Sequence, residues 1–299
     1  MPPSQRVRRT VALDRFACAC LTALAASCAS SVPSLSSALG SQITPETPAA
    51  PPREPDPDSA TSLFVVAGPG LNPAFEGADT YQPIPFTVLR FGRPSYAIET
   101  EGLDGRVDVV PRDWNTGWGF GPSFAFRLAR EDTDDAALDQ LETIDTAVEV
   151  GGFVRYVAKP GWLAQDSLET RLTVNADVTG THDGVVAQLE SDYAWFPKQN
   201  IRYSVGLRAS SASGAFMDTY FGVTPEGSAA SGLDAFDPSG GIRSVGAQAS
   251  ALFLFSENHG IFGLLRYDRL IGDAADSPIV QDVGSEDQIL VGVGYTYRF

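Results

Sequence analysis

The sequence predicts an all-β fold: an antiparallel transmembrane β-barrel of about 12 strands, with 10 as the second choice. Three observations point to it. Apolar and polar residues alternate with a period of two in many separate windows, as they do in strands that bury one face. These windows often run to roughly ten residues or more, whereas strands in globular proteins usually have five or six. The connections between windows alternate between short and long, as in bacterial outer-membrane barrels.

The windows define the predicted strands and their connections. The predicted strand cores lie near residues 62–68, 84–91, 95–101, 105–111, 117–129, 146–158, 167–178, 184–195, 200–209, 242–255, 260–270 and 287–299. Short connections contain GRP, RDWNTG, KPG, FPKQN and SENHG. Most connections on the opposite side are long: 69–83, EDTDDAALDQLETID, the region around FMDTYFGVTPEGSAASGLDAFDP, and GDAADSPIVQDVGS. This parity predicts short periplasmic turns and long outer loops.

The sense of the alternation separates a membrane barrel from a soluble β-sandwich, which is the alternative fold. In GWGFGPSFAFRLAR, Trp118, Phe120 and Phe126 lie on one face, and the other face carries Gly119 and Arg127. A sandwich would turn the apolar set inward, whereas a membrane barrel turns it toward lipid and surrounds a polar lumen. Long strands with aromatic residues near their ends favour the barrel.

The residues before Ser62 have a different character. Residues 1–40 resemble a secretory signal peptide, because several Arg precede the apolar stretch FACACLTALAASCASS. LAASC also faintly resembles a lipoprotein cleavage box ending at Cys28, so lipidation of Cys28 is an alternative. Residues 41–61 form a Pro-rich, acidic stretch predicted to be a disordered linker. The predicted barrel is therefore 62–299, and a formal net charge of −16 argues against a nucleic-acid partner.

The final stretch, QILVGVGYTYRF, is an alternating strand that ends on an aromatic residue. A barrel has no free edge only if its last strand pairs with its first. Tyr295, Tyr297 and Phe299 are therefore predicted to face lipid at the periplasmic interface. They also resemble the C-terminal signal that outer-membrane assembly machinery reads.

Charged residues occupy the predicted lumen face in nearly equal numbers of each sign. They are Arg127, Glu149, Arg155, Glu169, Arg171, Asp177, Glu190, Asp192, Arg202, Arg208, Arg266, Asp268 and Arg298. Unpaired ions in a confined space are costly, so this balance favours paired side chains that fill the lumen. The alternative is a transverse field across a small pore.

The loops and the two histidines offer little catalytic chemistry. Tyr220 and Phe221 lie in an otherwise polar loop and are predicted either to cap the barrel mouth or to contact a partner. The acidic run from Glu131 to Asp145 is predicted to be a solvated outer loop, or to bridge divalent cations to lipopolysaccharide. His182 and His259 are predicted to be solvated turn residues at opposite barrel ends. No catalytic group, metal site or cofactor is predicted.

Several blocks resemble the MipA/OmpV outer-membrane proteins. These blocks are FMDTYFGVTP, AASGLDAFDPSGGI, RLIGDAADSPIV, GVGYTYRF and NPAFEGADTYQPIPF, and the resemblance runs from about residue 62 to 299. It implies a bacterial outer-membrane location, contact with lipid and lipopolysaccharide, and a non-enzymatic scaffold that brings a murein transglycosylase to a murein synthase. Other members of this family are described as adhesins, osmoregulated porins or permeability factors. A small-solute porin or a permeability or adhesion factor is therefore the alternative function.

Overall fold

A computed structural model describes residues 61–93, 95–110, 117–130, 133 and 135–299. The predicted signal peptide and, apart from Thr61, the predicted linker lie outside the described residues. The strands are β1 Ser62–Pro73, β2 Tyr81–Arg93, β3 Tyr96–Glu101, β4 Asp104–Asp108, β5 Gly117–Arg127, β6 Ala147–Ala158, β7 Ser167–Asp177, β8 Val185–Lys198, β9 Ile201–Ala212, β10 Gly241–Leu254, β11 His259–Leu270 and β12 Asp287–Arg298.

Each strand pairs antiparallel with its neighbours in the sequence, and β1 pairs with β12, so the sheet is a closed barrel. Leu63 and Phe299 seal the seam, since each donates its backbone N–H to the carbonyl of the other at 3.1 and 2.8 Å. The prediction of a barrel of about 12 strands is confirmed. Among the described residues, no helix is long and apolar enough to span a membrane.

β1 and β2 extend farther than the sequence predicted, because the region 69–83 is mostly strand rather than loop. Only residues 74–80 connect them. The prolines that suggested a loop lie where the hydrogen-bond ladder is interrupted or open. Pro69 faces a gap in the pairing of β1 with β12, and Pro83 and Pro85 lie on β2 beyond the end of its pairing with β3. Proline cannot donate a ladder hydrogen bond, so it is tolerated at these positions.

The long connections at one end of the barrel contain short helices. These are a 3-10 helix at Leu138–Gln140 and four α-helices: α1 Gly214–Phe221, α2 Pro225–Ser231, α3 Asp273–Asp276 and α4 Pro278–Gln281. Thr224 caps α2 by accepting the N–H of Gly227 at 3.0 Å, with Pro225 at the first helical position. Ser277 caps α4 in the same way. We call this assembly, residues 135–144, 213–240 and 271–286, the cap.

Two apolar clusters hold the cap together and attach it to the barrel. The first joins α1 to barrel residues and to α3 and α4: Ile144, Val186, Ala212, Phe216, Met217, Tyr220, Phe221, Leu270, Ala274, Ala275 and Val280. The second lies among the loops: Leu138, Val223, Leu233 and Ile279. Long loops packed in this way form an ordered layer over one end of the barrel. The opposite end carries mainly short turns.

The seam predicts that Phe299→Ala will impair assembly of the barrel. Tyr295 and Phe299 are outward and exposed, so they are placed to anchor β12 at the membrane interface. Without closure, backbone groups of β1 and β12 would be left unpaired in hydrocarbon, each at a cost of several kcal/mol. Heat-modifiable gel mobility of the membrane fraction reports the amount of folded barrel. We expect this amount to fall strongly in the variant.

A second variant tests whether the position of the aromatic ring matters. It exchanges the last two residues, Arg298→Phe with Phe299→Arg, which keeps the composition but moves the ring to the other face. We expect this variant to fail as well. Wild-type levels of folded barrel in both variants would contradict the assembly role of the terminal aromatic residues.

Candidate functional site

The barrel has an apolar outer surface. Large apolar side chains at alternate strand positions are exposed, such as Phe120, Leu207 and Val293. Aromatic rings form a belt near the short-turn end, where Trp118 packs on Tyr156 with ring centroids 4.9 Å apart. A continuous apolar surface of this extent is typical of contact with lipid rather than water.

Ion pairs run across one wall of the lumen. Arg155 contacts Asp108 at 2.9 Å and Glu169 at 3.1 Å. Arg171 contacts Glu169 at 2.7 Å and also pairs with Glu190. Each of these carboxylates contacts one or two guanidinium groups. The charge-assisted hydrogen bonds between them offset the cost of removing both charges from water.

The same network includes residues of β3 and β4 that the sequence analysis did not identify. Glu99 is buried between Arg90 and Arg106, and Glu101 pairs with Arg266. The signal was available, because charged residues alternate with other residues in IETE and DGRVD. These two strands are short, however, and their windows are too brief to assign a face.

Nine of the thirteen predicted lumen charges form ion pairs in the described part of the chain, whereas Asp177, Asp192, Arg202 and Arg298 do not. Those in ion pairs are Arg127, Glu149, Arg155, Glu169, Arg171, Glu190, Arg208, Arg266 and Asp268. Asp192 instead accepts a hydrogen bond from Gln248 at 2.7 Å. Asp177, at the capped end of β7, accepts the backbone N–H groups of Thr179, His182 and Asp183. Arg298 lies at the end of β12 and donates to the Glu257 carbonyl in the adjacent turn, so it is outside the network.

The interior is less polar than the sequence predicted, because the inward faces of β11, β12, β1 and β2 carry an apolar patch. Val66, Phe86 and Leu264 are buried there. Phe86 stacks on Phe262 with centroids 6.1 Å apart, and its ring lies so close to Gly292 that a side chain at that position would collide with it. The lumen therefore contains an ion-pair network and, beside it, an apolar patch.

The cap meets the lumen at Phe216 of α1, which is fully buried. Arg127 and Arg243 place their guanidinium carbons 5.0 and 5.1 Å from the centre of its ring. This geometry gives two cation–π contacts to one ring. Both arginines also pair with Glu76 from the β1–β2 connection, so loops and lumen share one electrostatic cluster.

The expectation that His182 is a solvated turn residue is wrong. The ring is buried, its Nε2 lies 3.2 Å from a Glu149 carboxylate oxygen, and its Nδ1 accepts the Gly184 N–H at 3.0 Å. It also contacts Phe216 edge-on, at 5.1 Å between centroids. α1 folds over the β7–β8 turn and excludes water from it, which the local sequence could not show.

Tyr220 and Phe221 are both buried in the cap rather than displayed to a partner. Burial raises the pKa of Tyr220 to about 12, and its hydroxyl has no hydrogen-bond partner among the described residues. The acidic run is not simply a solvated loop, since Leu138 and Ile144 are buried and Arg130 bridges to Ile144. Its Asp135 and Asp139 carboxylates accept hydrogen bonds from within the loop.

No catalytic constellation emerges from the described ranges of the chain. No group of three or more His, Cys, Asp or Glu side chains there has an arrangement that could hold a metal ion. His259 lies at the short-turn end beside Tyr295 and Tyr297, far in sequence from His182 and at the other end of the barrel. The lumen and the cap are therefore built mainly from ion pairs and packed aromatic rings.

Comparison with known proteins identifies the family. The family model described as "MltA-interacting protein MipA" matches residues 65–299. This chain belongs to the MipA family. The match confirms the resemblance seen in the sequence blocks, and it covers nearly the whole barrel.

Two curated relatives also match. The MltA-interacting proteins of Escherichia coli (strain K12) and of Shigella flexneri are each 25% identical over 172 residues, covering 56% of this chain. The match spans 63% of the length of each relative. A solved structure, "OmpT (in-vitro folded), an outer membrane protein of Vibrio cholerae", matches with a TM-score of 0.37 and 6% identity, over 72% of this chain and 64% of that chain. A likeness at that level carries no functional argument.

The contacts of Arg127 and Arg243 with the Phe216 ring predict that Phe216→Ala will loosen the packing of the cap on the barrel. Truncating a buried Phe costs about 3–5 kcal/mol, and the two guanidinium groups would lose their ring contact. We expect proteinase K added to intact cells to cleave the 213–240 segment faster than in wild type. Phe120→Ala, which removes an exposed ring from the outer wall, is the control and should leave cleavage unchanged. Equal cleavage of the Phe216 variant and wild type would contradict the role of Phe216 in holding the cap to the barrel.

Proposed function

We propose that this protein is a non-enzymatic outer-membrane barrel that binds a murein transglycosylase of the MltA kind in the periplasm and links it to a murein synthase. The observation that carries the proposal is membership of the MipA family over residues 65–299. The curated relatives are named for interaction with MltA. The absence of a convergent catalytic trio in the described residues supports a binding role.

The outer-membrane location rests on the exterior of the barrel and its N-terminal segment. The outward apolar side chains would contact acyl chains of phospholipid and lipopolysaccharide. The aromatic belt would lie at the headgroup level, where Trp and Tyr are enriched. Residues 1–40 would direct export as a cleaved signal peptide, followed by the linker 41–61 in the periplasm. The short turns would then face the periplasm and the cap would face outward.

Closure of the lumen at its capped end favours a scaffold over a porin. A conducting pore requires a continuous wet path, and in this barrel the ion-pair network crosses one wall beneath a packed cap. Phe216 and the buried His182–Glu149 pair lie where that path would leave the barrel. These contacts would have to break before a solute could pass.

The β6–β7 turn is the part of the periplasmic end that we assign to partner contact. The Asp166 carboxylate accepts the N–H groups of Gly161, Trp162 and Leu163 at 2.7–3.0 Å and the Tyr193 hydroxyl at 2.7 Å. Burial disfavours the ionised form, but these donors outweigh it and lower the pKa of Asp166. The turn is therefore fixed, although Trp162 and Leu163 at its tip are 69% and 50% exposed. A fixed turn that displays two large apolar side chains is suited to recognition.

Closure of the lumen at its capped end predicts electrical silence in a planar bilayer. Purified, folded protein should give no discrete openings at potentials where a general porin, inserted as a positive control, conducts. Regular single-channel steps from the wild-type protein would favour the small-solute porin instead.

The scaffold role predicts that the immobilised, folded barrel retains a purified MltA-type transglycosylase. Trp162→Ala combined with Leu163→Ala should reduce retention several-fold, because truncating a central aromatic anchor typically costs 2 kcal/mol or more, roughly 30-fold in affinity. Val178→Ala, which removes an exposed apolar side chain at the capped end, is the matched control and should retain the enzyme fully.

The two parts of this proposal fail separately. No retention by wild-type barrel would contradict the scaffold role itself. Full retention by the double variant would contradict only the β6–β7 turn as the contact surface, and would assign Trp162 to the lipid interface beside Tyr193 instead.

A further inference from the structure

We propose that the lumen contains a binding site for a small amphipathic anion, a carboxylate on an aromatic or aliphatic body, between Arg90 and Arg202. The site would open toward the short-turn end of the barrel. It is separate from the partner surface on the β6–β7 turn and does not depend on the scaffold role.

Arg202 is a lumen arginine with unused donors. It points inward from β9, and within the described part of the chain it makes no ion pair or hydrogen bond. The acid that acts on it most strongly, Asp192, is engaged by Gln248 at 2.7 Å. A guanidinium group in a confined, partly apolar space is stabilised when an anion completes its hydrogen bonds.

Arg90 of β2 also has guanidinium N–H groups without a hydrogen-bond partner among the described residues. Its Nε lies 3.3 Å from one Glu99 oxygen, while the other oxygen pairs with Arg106. Half of the Arg90 side chain is exposed, in contrast to Glu99, so solvent reaches this guanidinium group. The exposure shows that the lumen is accessible beside Arg90, at the end that carries the short turns.

An apolar surface joins the two arginines. The strand register places Arg202 opposite Leu252 and Leu252 opposite Phe262, while Phe64 lies opposite Arg90. Phe64 and Phe262 meet edge to face, with centroids 6.5 Å apart. The wall between the two guanidinium groups is therefore made largely of aromatic and aliphatic side chains.

Charge and shape together define the ligand class. Arg90 and Arg202 carry like charges near the same end of the lumen, and an anion between them would reduce their mutual repulsion. A carboxylate can accept bidentate hydrogen bonds from a guanidinium group. The apolar part of the ligand would then lie on Phe64 and Phe262. An inorganic anion would use only the first of these two features, and an organic cation would use only the second and would be repelled by the arginines.

The test is calorimetric titration of the full barrel, folded in zwitterionic phosphatidylcholine nanodiscs, with 2-naphthoate. We expect saturable binding with one site per barrel, and no saturable binding of 2-naphthylmethylammonium, which has the same ring and the opposite charge. Arg202→Gln should weaken naphthoate binding at least about tenfold, the loss expected for one charge-assisted hydrogen bond. Arg202→Lys should recover part of that loss.

Arg269→Gln is the control, since Arg269 is exposed at the capped end, where it pairs with Glu286 and Asp287. It should bind naphthoate as wild type does. Heat-modifiable mobility confirms that each variant is folded. The proposal is overturned if the folded wild-type barrel does not bind naphthoate saturably, or if Arg202→Gln and Arg90→Gln both bind it as tightly as wild type.

Discussion

Closure of the sheet between β1 and β12 is the constraint on which the rest of this structure depends. In hydrocarbon, every backbone N–H and C=O group must be paired within the protein, and a closed barrel achieves this without an edge. Once the barrel is closed, a strand side chain has only two environments, lipid and lumen. Apolar residues therefore occupy one set of alternate positions along much of each strand, and most charged residues of the strands face a narrow interior. Proline is restricted to the places where the ladder is already open.

Confinement explains the arrangement of charge in the lumen. Ions there cannot be left without partners at low cost, so arginines and carboxylates alternate around the β3–β9 wall. The neighbouring strands also turn apolar side chains inward, so that Phe64, Val66, Phe86 and Leu264 form an apolar patch beside the charged network. At the capped end, the ring of Phe216 contacts the guanidinium groups of both Arg127 and Arg243. The proposed ligand site lies at the opposite end, which the cap does not cover.

Much of the barrel was predictable from the sequence because the period-two pattern is a local property. Strands such as β7 and β9, which alternate apolar and charged residues, could be assigned both a span and a facing. β1 could be assigned only part of its span and no facing, because SLFVVAG is apolar on both faces and the prolines that follow it resemble a loop. The inward apolar patch was missed for the same reason. The family could be identified from its loop blocks, but the blocks say nothing about which loop residues are buried.

The site was less predictable than the fold because its contacts join distant segments. His182 has a polar turn sequence around it, and only the folding of α1 across that turn makes it buried. Phe216 is clamped by arginines from β5 and β10, which no local pattern relates. Arg202 has the same alternation as its paired neighbours Arg208 and Arg171. Whether it has a partner depends on the opposing strands and not on its own.

In this structure the cap closes the lumen at one end of the barrel, and single-cysteine accessibility is the direct test of that closure. All three natural cysteines lie within residues 1–40, so a mature barrel would carry only the introduced one. Ser250→Cys places a thiol on the inward face of β10, and Ser239→Cys places one on the exposed surface of the cap. With a charged, membrane-impermeant thiol reagent added outside intact cells, we expect rapid labelling at position 239 and none at position 250. Labelling of position 250 at a similar rate would show an open path through the barrel and would contradict that closure.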